Sequence, residues 1–158
     1  MTGRADPTQG DDLVQARRAA MGLLARATLA ELEAGLAAFD ETGGAHEVRR
    51  PQTGLVMLRG RIGGTGAPFN LGEATVTRAA VRLPSGEVGH AYLLGRDAGR
   101  ARLAALADAL WQQPFARERL EAAILAPVRR RLEAQAAVQD ARTAATKVDF
   151  FTLVRGED

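Results

Sequence analysis

The sequence predicts an α+β domain: a small antiparallel sheet over about residues 46–95, flanked by N-terminal and C-terminal helices and followed by an extended apolar C-terminal arm. Three observations carry this. Apolar residues recur at helical spacing at both ends of the chain, and period-two spacing with frequent glycine fills the middle. The order helices, strands, helices is that of an α+β fold and not of alternating βαβ units. The 158 residues suit one domain, and an apolar fraction of 46% can supply its core. The chain divides into a disordered lead over residues 1–10, a single domain over 11–146 and a docking arm over 147–158.

Taken in order, Asp11 or Asp12 is placed to cap a first helix whose face is Leu13, Ala16, Ala20, Leu23, Leu24 and Ala27. Thr28 with Glu31 forms a capping-box pattern opening a second helix to about Asp40, striped by Leu29, Leu32, Leu36 and Phe39. Val48–Pro51 and Leu55–Ile62 read as two strands joined by a Gln52-Thr53-Gly54 turn. Gly72–Leu83 reads as a third strand, Pro84-Ser85-Gly86 as a turn and Glu87–Leu94 as the returning strand. Helical spacing resumes at Gly99–Gln113, with Asp97 as its N-cap, and Pro114 breaks it. Leu120, Ile124, Val128 and Leu132 continue at intervals of four, with Pro127 marking a kink or the first turn of a new helix.

Composition narrows the chemistry. There is no cysteine, so this chain offers no disulfide, thiolate catalyst or iron–sulfur ligand, which fits a reducing, cytoplasmic setting. The polar opening segment lacks the apolar stretch of a signal peptide, and no apolar run reaches the length of a membrane span. Net charge is only +2 although the sequence pI is 9.9, because Lys147 is the single lysine and arginine supplies the other cations. That balance does not indicate a nucleic-acid surface. His46 and His90 lie too far apart, without a carboxylate at ligand spacing, to suggest a metal site.

The densest motif is Arg59–Arg78, RGRIGGTGAPFNLGEATVTR. Gly60, Gly63, Gly64, Gly66 and Gly72 fall within thirteen residues and permit backbone conformations closed to other residues. Successive N–H groups in such a loop can form an anion-binding nest. Arg59 and Arg61 share one strand face, and Thr65, Asn70, Glu73, Thr75 and Thr77 add hydrogen-bonding groups. A phosphate or phosphonate cradle and a tight-turned interface loop both remain open. The segment lacks the Gly-Lys-Ser/Thr of a Walker loop, and it lies between strands, unlike a Rossmann fingerprint.

Other candidates are weaker. His90 and Glu73 are the available acid/base groups, although a histidine hydrogen-bonded beneath a sheet is the plainer expectation for His90. Arg96 is expected to reach toward the glycine-rich loop. Arg78, in an apolar strand, is expected to be buried against Glu73 or a ligand. Trp111 reads as packing. The run Arg129-Arg130-Arg131 reads as a solvated helix face. Val148, Phe150, Phe151, Leu153 and Arg155, in the terminal VDFFTLVR stretch, are candidates for docking on a partner, since terminal residues are ordinarily polar.

Four stretches together, LVMLRGRIGGTGAPFNLGEATVTRAAVRL, GHAYLLGRD, ALADAL and KVDFFTLVRGED, resemble the PhnG family, the G subunit of the carbon–phosphorus lyase complex, across about residues 12–158. One departure is Ala20 before Met21, where members often carry a bulky aromatic. The resemblance implies a role in bacterial phosphonate catabolism, in a core complex with H, I and J subunits and transient contact with an L subunit. It implies that the complex transfers a phosphonate onto ribose C1 of ATP, displacing adenine and giving α-D-ribose 1-methylphosphonate 5-triphosphate from methylphosphonate. ATP would be the co-substrate of the complex, with no cofactor in this chain, and the I subunit the closest expected contact. It implies no established catalytic residue here. A purely structural scaffold and an autonomous phosphonate- or nucleotide-binding protein are the alternatives.

Overall fold

The computed structural model describes residues 7–39 and 43–146. Helix α1 runs Pro7–Leu24, so it begins within the span expected as a lead, and Asp11 and Asp12 lie inside it instead of capping it. Helix α2, Leu29–Leu36, opens on the full capping box: the Thr28 side chain accepts from the Glu31 N–H, and the Glu31 carboxylate accepts from the Thr28 N–H at 2.8 Å. It ends four residues short of the expected Asp40.

Three antiparallel strands follow in spatial order β1-β2-β3: β1 His46–Arg61, β2 Pro68–Arg82 and β3 Val88–Leu94. The two short strands expected before Ile62 are a single strand of 16 residues. Gln52, Thr53 and Gly54 pair with Arg78, Thr77 and Val76, and the irregularity around Pro51 is absorbed as shifts of register between Glu47 and Gln52. Pro51 is tolerated because β1 is an edge strand, where a missing N–H costs the ladder little.

Strand β3 pairs with β2 only from Arg82 to Val76. Beyond that point β1 and β2 continue alone as a two-stranded arm, Gly54–Arg61 against Pro68–Val76, about 25 Å long at about 3.3 Å per residue. Thr77 marks the division. Its buried hydroxyl donates to the Gly95 carbonyl at 2.7 Å and accepts from the Asp97 N–H at 3.2 Å, turning the chain out of β3 and into the next helix.

That helix, α3 (Ala98–Trp111), is capped by Asp97, which accepts from the Arg100 N–H at 2.9 Å. Ala101, Ala104, Ala105, Ala107 and Ala109 are all buried, and their small side chains let the helix lie close on the sheet. At Gly89 the approach is closest: a Cβ there would overlap the backbone of Ala105 and Ala109. Asp108, 1% exposed, binds the edge of β3. It accepts from the His90 N–H at 2.8 Å and pairs with Arg17 of α1 at 2.7 Å, while Gln112 donates to the Val88 carbonyl at 2.9 Å. These bonds close an edge that would otherwise invite strand addition.

Helix α4 is Pro114–Leu120, with Pro114 at its start. A wide π-turn, Glu121–Leu125, joins it to α5, Ala126–Ala145. The Ala126 N–H bonds back five residues to Glu121, so Pro127 sits in the first turn of α5 without ending the helical path. The core lies between the inner sheet face (Ala79, Val81, Leu83, Ala91, Leu93) and the helices (Leu24, Leu32, Leu110, Leu120, Ile124, Val128). Trp111 is buried there, with the Arg117 guanidinium 4.3 Å over its ring, and Ala20 is buried as well.

The run Arg129-Arg130-Arg131 is not uniformly solvated. Arg131 pairs with Glu31 at 2.7 Å and donates to the Arg26 carbonyl at 2.9 Å, and Arg129 pairs with Glu121 at 2.8 Å. The Arg131 guanidinium and the capping bonds of Thr28 lower the Glu31 pKa from 4.5 to about 2. Past Leu132, α5 is exposed on every side as far as Thr146.

Candidate functional site

The glycine-rich motif is the tip of the arm. Residues Ile62–Ala67 turn the chain between Arg61 and Pro68, with Gly63 and Gly64 at φ of 62° and 77°, a region that excludes ordinary side chains. The tip's polar groups are partly spent on itself. The Gly66 N–H donates to the Ile62 carbonyl at 3.1 Å, and the Arg61 guanidinium donates to the Gly66 carbonyl at 3.2 Å. Arg59 pairs with Asn70 across the ladder, and Thr65 is exposed in the loop.

Large apolar side chains lie exposed along the same arm: Leu55, Met57, Leu58, Phe69, Leu71 and, at the tip, Ile62, which is 77% exposed. Between Leu58 and Arg59 the register shifts, because β2 carries one more residue, Leu71, than β1 opposes. The side of Gly60 then faces both Phe69 and Leu71. Leu58, Phe69 and Leu71 therefore share one side of the distal arm, and Arg59, Arg61 and Asn70 share the other.

The structure does not gather all the sequence candidates in one place. Arg96 follows Gly95, whose N–H bonds to Thr75, and the tip begins seven residues further along β2, about 23 Å away. Arg96 does not reach the loop. Arg78 is exposed, not buried, with Gln52 as its hydrogen-bond partner at 3.4 Å. Glu73 points to the opposite face of β2, so it is no partner for Arg78. His90 is likewise exposed, on the outer face, and not bound beneath the sheet. It and Glu73 do not approach each other, so no acid/base pair forms. Val148, Phe150, Phe151, Leu153 and Arg155 lie outside the described residues.

What sequence spacing missed is the outer face of the three-stranded base. The register sets three rows there: Arg49, Ala80 and His90; Gln52, Arg78 and Tyr92; Gly54, Val76 and Leu94. Arg82, paired with His46 and Val88, adds a further cation. Helix α1 borders this face, with Met21 beside His90 and Tyr92. Val76 and Ala80 are buried, apart from the main core, by the longer side chains around them. Two hollows result. One, of about 390 Å³, is lined by Met21, Val48, Arg49, Arg78, His90 and Tyr92 over Ala80. The other, of about 530 Å³, is lined by Gln52, Thr53, Arg78 and Tyr92. Arg49 escaped notice because its neighbours across the sheet are defined by register, which the sequence alone does not print.

Among the described residues no three His, Asp or Glu groups come together as metal ligands, and no helix is long and apolar enough to cross a membrane.

The family model for "Phosphonate metabolism protein PhnG" matches residues 15–156. The chain is 56% identical over 154 residues to a protein of Rhizobium meliloti (strain 1021), covering 98% of both chains, and that protein is named alpha-D-ribose 1-methylphosphonate 5-triphosphate synthase subunit PhnG. The arm with its GGTG tip, the GHAYLLGRD stretch that runs from β3 to the cap of α3 and the helix containing ALADAL all fall within the matched span, and on that match this chain belongs to the PhnG family of phosphonate metabolism proteins.

Proposed function

We propose that this chain is a non-autonomous subunit of the carbon–phosphorus lyase core complex. The complex would transfer a phosphonate onto ribose C1 of ATP: a phosphonate oxygen bonds to C1, the bond from C1 to adenine breaks, and adenine leaves with the electron pair. With methylphosphonate the product is α-D-ribose 1-methylphosphonate 5-triphosphate, the compound in the relative's name. The partners are the H, I and J subunits, with the I subunit in closest contact and an L subunit transiently. The setting is cytoplasmic, ATP is the co-substrate of the complex, and this chain carries no cofactor.

The observation that carries this reading is the bare arm. A two-stranded ribbon is marginal in water by itself, yet this one bears six large exposed apolar side chains. Such a surface belongs against another protein. The arm would dock on the I subunit, and the VDFFTLV terminus on a neighbouring one. The test is adenine release from ATP plus methylphosphonate. The purified chain alone should release none, and the assembled complex should turn over. Robust release by the isolated chain would sink the proposal.

A purely scaffolding role is the second reading, favoured by the Arg61 contact to its own loop. Under it, Arg61→Ala leaves the activity of the complex unchanged, while a contribution to substrate phosphates predicts a loss of at least about tenfold.

A further inference from the structure

We infer that the outer face of the three-stranded base, centred on Arg78, binds a small phosphate- or phosphonate-bearing anion. This deepens the proposed function and rests on it only for the identity of the natural ligand.

Basic side chains dominate this face. Arg49, Arg78, Arg82, His46 and His90 occupy positions across all three strands, within a patch three strands wide. Carboxylates elsewhere on the sheet are turned away. Glu47 is paired with Arg102 of α3, and Glu73 lies on the opposite face of β2. Among the described residues neither hollow is lined by an acid. Among the described residues no carboxylate lies within ion-pair distance of Arg49, Arg78 or Arg82, whereas Arg17, Arg100, Arg102, Arg129 and Arg131 each have one. Concentrated positive charge without its own counter-ions favours an external anion.

The shape suits a small ligand better than a flat partner surface. Ala80 is the floor between Arg49 and His90, so taller side chains surround a short one. The two hollows meet at Arg78 and Tyr92. There an arginine fork matched to phosphate oxygens stands beside the Gln52 amide as a further hydrogen-bonding group, with the exposed Tyr92 ring alongside. By contrast Arg59 and Arg61, at the tip of the arm, border neither hollow.

The test titrates the full chain with inorganic triphosphate by calorimetry and by amide chemical shifts. Saturable binding is expected, with shifts centred on Arg78, His90 and Tyr92. Arg78→Gln and Arg49→Gln should each weaken it by about tenfold or more. Arg59→Gln removes the same charge from the arm and should weaken it by less than about twofold. Arg78→Lys, which keeps the charge without the fork, should fall between, and an unchanged melting temperature certifies the fold of each variant.

Three binding results overturn the inference. They are no saturable binding, equal losses in Arg59→Gln and Arg78→Gln, which means diffuse charge, or unaltered triphosphate binding in an Arg78→Gln chain that no longer co-purifies with its partner subunits, which means a protein contact. Adenine release separates the two proposals. A complex that turns over equally well with Arg78→Gln and Arg49→Gln sinks this site alone. Triphosphate bound at Arg78 in a complex that releases no adenine sinks the functional reading alone.

Discussion

One sheet, two regimes: the base of the β1–β2 ladder is packed under α3, and among the described residues the distal half of the same ladder stays exposed. In the base, alternate residues vanish into the core, with Thr77, Ala79, Val81 and Leu83 at 3% exposure or less. In the arm the alternation persists but both sides face outward. The backbone pairing is the same in both halves, so the ladder does not decide which half is anchored. The third strand and the helix do. The base is held by burial and by bonds such as that from the His90 N–H to Asp108, whereas the large apolar side chains of the arm stay exposed among the described residues. Among the described residues, apolar side chains are therefore buried at the base and left exposed along the arm.

The contrast can be attacked first where the base is tightest. Gly89→Ala places a methyl group against the α3 backbone and should cost about 3 kcal/mol of unfolding free energy in a denaturant titration. A cost below about 0.5 kcal/mol would mean the close approach does not govern the base. Next comes the junction. Thr77→Val keeps the shape but leaves the Asp97 N–H and the Gly95 carbonyl without their hydroxyl partner, a loss of about 2 kcal/mol.

Smaller again is the helical clamp beneath the base. Glu31 titrates at about 2 in the folded chain and near 4.5 when unfolded, so its contribution is complete above pH 4.5 and disappears as pH falls toward 2. Glu31→Gln should lower stability by about 1 kcal/mol at neutral pH, with the difference from the parent closing between pH 4.5 and 2. A pH-independent gap would assign the effect to something other than the charge. The smallest stability effect belongs to the arm. Met57→Ser with Leu71→Ser should shift the unfolding free energy by no more than about 0.5 kcal/mol, because both residues are already in water. The same double variant should fail to co-purify with its partner subunits. A large stability loss with assembly intact would place the arm inside the fold and dissolve the contrast.

Much of the base was legible in the sequence, because its signals are local. The Thr28–Glu31 box, the Asp97 cap, the Pro84-Ser85-Gly86 turn and the alternation of β3 each depend on residues within a few positions of one another. Register and edges were not legible. Pro51 and Gly54 punctuate like a turn, yet at a sheet edge a proline and a bulge fit within one continuous strand. The position of Arg78 between Val76 and Ala80 suggests burial, and those two are buried on its face, but the longer arginine side chain stays exposed over them. The candidate site split for the same reason. Arg59, Arg61 and the loop glycines cluster at the tip as their spacing suggested, while Arg78, His90 and Arg96 belong to the base, separated by the length of strand between them. Arg49 became visible only once β1 was set in register against β2.

The extra residue at Leu71 gives the arm a handedness of use. With Leu58, Phe69 and Leu71 on one flank and Arg59, Arg61 and Asn70 on the other, the distal ribbon is cut like a key with teeth along a single edge. A partner groove with one oily wall and one polar wall admits it in one rotational setting and rejects the setting turned by half a revolution, where guanidinium groups would meet the oil. A regular ladder would have set Leu71 on the flank of Arg59 and Arg61 and blurred that distinction. Orientation of the whole body relative to its neighbour would then follow from a single inserted residue far from the core.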